Sequence, residues 1–267
     1  MRQKLGQHFL KNARVLKKIA SAIHIKDSET ILEIGPGHGE LTDLLLAEAT
    51  KHKKIKIIAI ERDQDLAAQL KARYAALNNF KVITGDALKE IPKLFLSSNR
   101  LGARKIVGNI PYYITGALLR EISELKHKPE VSALLVQKEV AARIIARPPK
   151  MNLLAASVRA WAEPKIIEDV SRFDFTPPPE VDSSLLVLNT IKNSDTPPYY
   201  YPFIRMLFKQ PRKTILNNLS RGFGQPKNET RQTLVAAGIE PGARPQNLSR
   251  EEILQLGTYF LVRKKKD

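Results

Sequence analysis

From Thr30 to about Thr190 the chain alternates short β-branched runs with stretches of helical periodicity, and this alternation restricts the fold more than any other feature. Strands are expected at Ile31–Ile34, Ile55–Ile60, Lys81–Thr84, Lys105–Val107 and Val131–Val136. Helices are expected at Glu40–Ala49, at Asp63–Ala76 with Leu66, Leu70 and Tyr74 on one face, at Ala117–Leu125, and after the fifth strand as far as Arg147. Strand and helix in turn at this spacing imply βαβ units on a parallel sheet with helices on both faces, a doubly wound α/β domain. Two late strands, Ile166–Val170 and Leu185–Leu188 with Pro177-Pro178-Pro179 between them, read as a hairpin closing one sheet edge. A chain of 267 residues with 43% hydrophobic content has enough apolar material for such a core and is not globally disordered.

The pattern changes after Thr190. Asn193–Pro202 is rich in Pro, Asp, Ser and Tyr and reads as a linker. Beyond it only helical signals follow: Phe203–Phe208, Thr214–Leu219 with Pro211 at a helix N1 position, and Glu229–Ala237 closed by Gly238. A last helix opens with Ser249 as N-cap and Glu252 at N3. The expected organisation is therefore an α/β domain over 1–192, a linker over 193–202 and a small basic helical domain over 203–267.

Charge narrows the partners. The formal net charge is +17, with +9 on residues 1–190 and +8 on the much shorter remainder, and the first 26 residues carry seven Lys or Arg and no acid. Clustered cations suit a nucleic-acid backbone, a solvated basic surface being the alternative. There is no cysteine, which excludes a thiolate nucleophile and a zinc–thiolate site, and no histidine pair has metal-ligand spacing. No apolar run approaches a membrane span, and Met1–Leu10 lacks the apolar core of a secretory signal, so a cytoplasmic protein is expected.

The first expected strand runs into Glu33-Ile34-Gly35-Pro36-Gly37-His38-Gly39-Glu40. Glycines at 35, 37 and 39 let backbone amides approach a ligand at a helix N-terminus. Glu40 occupies the place where the dinucleotide fingerprint has its third glycine, and a glutamate would repel a pyrophosphate. A nucleoside without phosphates fits better, and S-adenosylmethionine is one. Glu61 ends the second strand, where a carboxylate can accept both ribose hydroxyls; Asp86 follows the third and can accept from an adenine amino group. After the fourth strand comes Gly108-Asn109-Ile110-Pro111-Tyr112-Tyr113. Asn109 offers an amide oxygen, Pro111 has no N–H and leaves the Ile110 carbonyl to face outward, and Tyr112 offers a flat face to a base. Two acceptors beside one aromatic ring suit an exocyclic amine.

Together with Gly6-Gln7-His8-Phe9-Leu10, Gln137-Lys138-Glu139-Val140, the segment Phe175–Ser184 and Phe208–Thr214, these motifs cover nearly the whole chain in order. The ensemble resembles the bacterial small-subunit rRNA adenine N6-dimethyltransferases, the KsgA/RsmA family. The resemblance implies a Rossmann-like methyltransferase sheet with a C-terminal helical domain, and S-adenosylmethionine as co-substrate without a metal. The implied reaction is dimethylation of two adjacent adenosines in a hairpin loop near the 3′ end of 16S rRNA, on the small (30S) subunit, with a further role as a late assembly checkpoint. It implies a monomer. It assigns donor contacts to His8, Leu10, Gly35, Gly37, Glu61, Asp86 and Asn109. It assigns the target amine to Asn109, Ile110, Pro111 and Tyr112, and stacking of the flipped base to Phe175 with Tyr112. RNA contacts are expected from Arg2, Lys4, Lys11, Arg212 and Lys213. Two departures stand out: Pro148–Leu153 replaces a Gly- and Tyr-containing loop of the relatives, and Pro211 replaces the first of two arginines.

Overall fold

The computed structural model describes residues 7–96, 103–192 and 196–261. In chain order the first half carries β1 (Phe9–Leu10), α1 (Ala13–Ala22), β2 (Thr30–Ile34), α2 (Glu40–Ala49), β3 (Lys56–Glu61), α3 (Gln64–Arg73), β4 (Phe80–Thr84), α4 (Ala87–Leu96), β5 (Ala103–Asn109) and α5 (Thr115–Glu124). Then come β6 (Val131–Gln137), α6 (Lys138–Ile144), α7 (Leu153–Arg159), β7 (Ala162–Val170), β8 (Phe175–Thr176) and β9 (Ser183–Thr190). The chain continues as α8 (Tyr200–Leu207), α9 (Ile215–Phe223), α10 (Lys227–Ala236) and α11 (Arg250–Leu261).

Seven strands form one sheet in the order β4-β3-β2-β5-β6-β9-β7. The first five are parallel, and β9 returns antiparallel to β6. The β-branched runs that mark β2, β3, β5 and β6 are buried nearly throughout, as parallel strands covered on both faces must be. From β2 the chain winds outward through β3 to β4, then returns to lay β5 on the other side of β2. The reversal opens a crevice between the carboxyl ends of β2 and β5, where open α/β sheets bind ligands. Close approach of these two strands requires Gly108, because a Cβ there would lie 2.4 Å from the Ile34 carbonyl oxygen. β1 pairs antiparallel with β8, apart from the main sheet, and brings the N-terminal segment to that crevice.

The chain divides into two compact units, 1–142 with 164–190, and 143–163 with 191–267. The segment 143–163, drawn with the first domain on sequence grounds, thus clusters with the C-terminal helices. Its hydrogen bonds show why. The Tyr200 hydroxyl donates to the Ala156 carbonyl at 3.0 Å, Tyr201 to that of Ser157 at 3.2 Å, and Arg250 Nε to that of Arg159 at 2.7 Å. Arg159, 6% exposed, donates in turn to the carbonyls of Ile145 and Ala146. The expected linker is also shorter than the sequence suggests, since α8 begins at the fully buried Tyr200. Pro202 sits in the first turn of α8, where its missing N–H costs no helical bond.

Pro211 does not open a helix. It lies in an exposed turn, and α9 starts after Thr214, whose hydroxyl accepts from the Asn217 N–H at 3.3 Å. A side-chain acceptor at the N-cap outweighs proline's preference for N1. The expected helix up to Arg147 ends at Ile144. Gly238, at φ +70°, follows the C-cap of α10, and Ser249 and Glu252 exchange both bonds of a capping box.

Candidate active site

The site assembles at the crevice between β2 and β5. The loop after β2 turns through Gly35, Gly37 and Gly39, all at positive φ, and α2 begins at Glu40. Gly37 has a second constraint: a Cβ there would stand 2.8 Å from the Phe9 ring, which packs on the loop beside His38 at 4.4 Å between centroids. Glu61 holds the loop from the end of β3. Its Oε2 accepts from the Gly37 N–H at 3.2 Å and its Oε1 from the Asp63 N–H at 2.9 Å. Burial raises the Glu61 pKa above the ordinary carboxylate value, and the backbone donors partly offset this. Each oxygen keeps acceptor capacity for a ligand hydroxyl.

Asp86, after β4, accepts from the Leu88 N–H at 3.0 Å through Oδ1 and so caps α4. With Gly85, Ala87, Glu61, Arg62 and Tyr113 it lines a cleft of about 490 Å³. Across this cleft Arg62 Nη1 donates to the Tyr113 hydroxyl at 2.9 Å. A neighbouring cleft of about 520 Å³ is lined by His8, Gly35, Gly37, Glu61 and Asn109–Tyr112. Leu10 is 4% exposed and lies with Glu33 behind the glycine loop.

Asn109 ends β5. Its Nδ2 donates to the His8 carbonyl at 2.7 Å, which fixes the amide so that Oδ1 is left to accept. The Ile110 N–H donates to Leu135 at 3.1 Å, while its carbonyl accepts no hydrogen bond among the described residues. Pro111 accepts from the Ile114 N–H at 3.0 Å and starts a single 3₁₀ turn over Tyr112–Ile114. The Tyr112 hydroxyl shares a hydrogen bond with Ser183 Oγ at 2.8 Å, and its ring lies 23° from parallel with His8, 6.3 Å between centroids. Burial raises the Tyr112 pKa, so the phenol stays neutral.

Phe175 departs from the expected role. Only 3% exposed, it sits in β8 opposite Leu10 and packs in the core with Val15, Leu16 and Ile19. Pairing with β1 turns this ring inward, so it presents no face to a base. The exposed aromatic of the segment is Phe173, at 81%.

Glu33, under the glycine loop, is 1% exposed, and desolvation raises its pKa to about 8. The Thr42 hydroxyl donates to its Oε2 at 2.7 Å, while Oε1 has no partner among the described residues. Of the expected RNA contacts, Arg2 and Lys4 lie outside the described residues. Lys11 is paired with Glu40, and Arg212 and Lys213 are exposed in the turn before α9.

Arg62, Tyr113, Ser183 and Glu33 were not singled out on sequence grounds. Arg62 directly follows Glu61, and Tyr113 lies inside the Gly108–Tyr113 motif, which are the signals the sequence carries for them. Ser183 and Glu33 lie inside recognised motifs, but what they touch depends on the fold.

A doubly wound sheet with a glycine loop after its first main strand and acids after the next two defines a Rossmann-like methyltransferase architecture. It resembles solved structures of this class. A dimethyladenosine transferase from Plasmodium falciparum matches with a TM-score of 0.78 at 26% identity, over 97% of this chain and 98% of that one. The 23S rRNA methyltransferase ErmE has the same fold, with a TM-score of 0.70 at 24% identity over 94% and 98%. By sequence, the ribosomal RNA small subunit methyltransferase A of Dehalococcoides mccartyi is 39% identical over 94% of this chain and 85% of its own length. The family model for ribosomal RNA adenine dimethylase matches residues 1–261, and the chain belongs to that family.

Proposed function

We propose that this chain transfers methyl groups from S-adenosylmethionine to the N6 amines of two adjacent adenosines in a hairpin loop near the 3′ end of 16S rRNA, acting on the small subunit as a monomer. The observation that carries this reading is the Asn109–Ile110 pair. One amide oxygen is oriented by the His8 tether, and beside it at the switch point stands one main-chain carbonyl that no donor among the described residues reaches.

The clefts fit the donor. Gly35 and Gly37 line an open cleft beside Glu61 and Asn109, and Glu61 retains lone pairs for ribose hydroxyls. Asp86 keeps Oδ2 for an adenine amine. S-adenosylmethionine supplies an electrophilic methyl group. The protein's task is the weak nucleophile, an amine whose lone pair is delocalised into the ring. Asn109 Oδ1 and the Ile110 carbonyl each accept one N–H, which favours a pyramidal nitrogen with its lone pair available. Tyr112, held by Ser183, offers a ring face to the unstacked base. The proton leaves after the nitrogen has become cationic, so no strong base is required.

The test is to incubate the purified chain with methyl-labelled donor and separated ribosomal subunits. Label is expected in immature small subunits. Label confined to large subunits, or none in either, would overturn the proposal.

A further inference from the structure

We propose that Phe173 and Arg172 form a stacking platform for an unpaired nucleobase next to the target adenosine. This rests on the rRNA reading above. It concerns a surface separate from the residues that hold the donor and the target amine.

Phe173 is the most exposed of the large apolar side chains among the described residues, at 81%, yet its backbone is firmly held. Ser171 Oγ accepts from the Phe173 N–H at 3.3 Å. Asp174 ties the turn to the N-terminal segment: its carbonyl accepts from the Lys11 N–H, and its Oδ1 from Asn12 Nδ2, both at 2.8 Å. The ring is thus presented to solvent on a backbone whose position is set, so a flat ligand can cover it without the turn having to form first.

Arg172 gives the ring a polarity. Its guanidinium carbon lies 5.6 Å from the Phe173 centroid, over one face. Nη1 donates to the Glu180 carbonyl at 2.7 Å, and Nε lies 3.7 Å from Asp182 Oδ1, so the cation cannot swing away without losing both. The opposite face of the ring is left to solvent. An aromatic plane backed by a cation is the usual ground for stacking unpaired bases, since every base has a π-face and its phosphates answer the charge.

The platform is joined to the target side of the site. Asp182, which also accepts from the Arg172 N–H at 3.1 Å, precedes Ser183, whose hydroxyl holds Tyr112. The two aromatic faces are therefore set by one short segment at the start of β9. A base taken out of its stack into the Tyr112 cleft leaves its neighbour without a stacking partner. Phe173 offers that neighbour a replacement.

Phe173 is 81% exposed, so substitution there leaves the fold intact. Phe173→Ala is expected to weaken binding of the small-subunit hairpin RNA by roughly tenfold. Donor affinity and turnover at saturating RNA should stay as in the parent. Phe173→Trp should restore binding and Phe173→Leu should not, because area without a π-face does not stack. The tryptophan variant adds a direct readout. Trp161 is fully buried, so iodide should quench only the new indole, and RNA should protect it. RNA affinity equal in all four proteins, or iodide quenching unchanged by RNA, would overturn the platform. If the parent itself methylates no small-subunit RNA, the functional reading fails instead.

Discussion

On the proposed reading the crevice has a donor half and a target half, and the two are built differently. The donor half, at the ends of β2, β3 and β4, rests on backbone: a glycine loop, a carboxylate that hydrogen-bonds its amides, and an aspartate that caps the next helix. The target half rests on contacts between distant parts of the chain. His8 fixes Asn109, Ser183 fixes Tyr112, and the β1–β8 pair decides which aromatics point inward. A donor site made of a glycine loop and carboxylates at strand ends is shaped by the sheet itself. A target site made of cross-chain contacts can be altered without disturbing the sheet, so substitutions in the two halves should separate kinetically.

The widest separation is expected from Asn109→Ala. Loss of one oriented acceptor should lower kcat by about 100- to 1000-fold, with RNA affinity nearly unchanged. Near-parent turnover would break the distinction between the halves. Glu61→Ala should do the converse, raising the donor KM by about 10- to 100-fold, the worth of a charged hydrogen-bonding group, while kcat changes less. Equal loss in kcat would place Glu61 in the target half. Tyr113→Phe removes the one hydrogen bond described between Arg62 and the turn after Asn109. About a threefold weakening of S-adenosylhomocysteine binding is expected, in keeping with a single solvent-exposed hydrogen bond. Titration calorimetry with S-adenosylhomocysteine would measure it.

One expected effect is on stability and leaves the comparison of the two halves untouched. With a pKa near 8 in the folded state against 4.5 for the free group, Glu33 binds more protons folded than unfolded between these values. Stability therefore falls as pH rises through that window. Glu33→Gln should flatten the slope between about pH 5 and 8, measured by urea unfolding. An unchanged slope would show that Glu33 is not the group responsible.

The same contrast explains what the sequence revealed. The placing of Gly35, Glu61 and Asp86 together at the crevice could be read because each lies at or just after a strand end inside a local motif, and β2 to β6 follow their β-branched runs closely. The orientation of Phe175 could not, because it is decided by pairing with Leu10 far away in the chain. Nor could the membership of 143–163, which depends on hydrogen bonds from Tyr200, Tyr201 and Arg250. Pro211 misled for a local reason: a better cap stood three residues on, at Thr214.

The central claim is that Asn109 and the Ile110 carbonyl hold an adenine amine. Its most direct test is mass spectrometry of nucleosides from small-subunit rRNA methylated by the purified chain. The product expected is N6,N6-dimethyladenosine at two neighbouring positions. Methylation at a ring nitrogen, a ring carbon or a ribose hydroxyl, with N6 unmodified, would contradict the account.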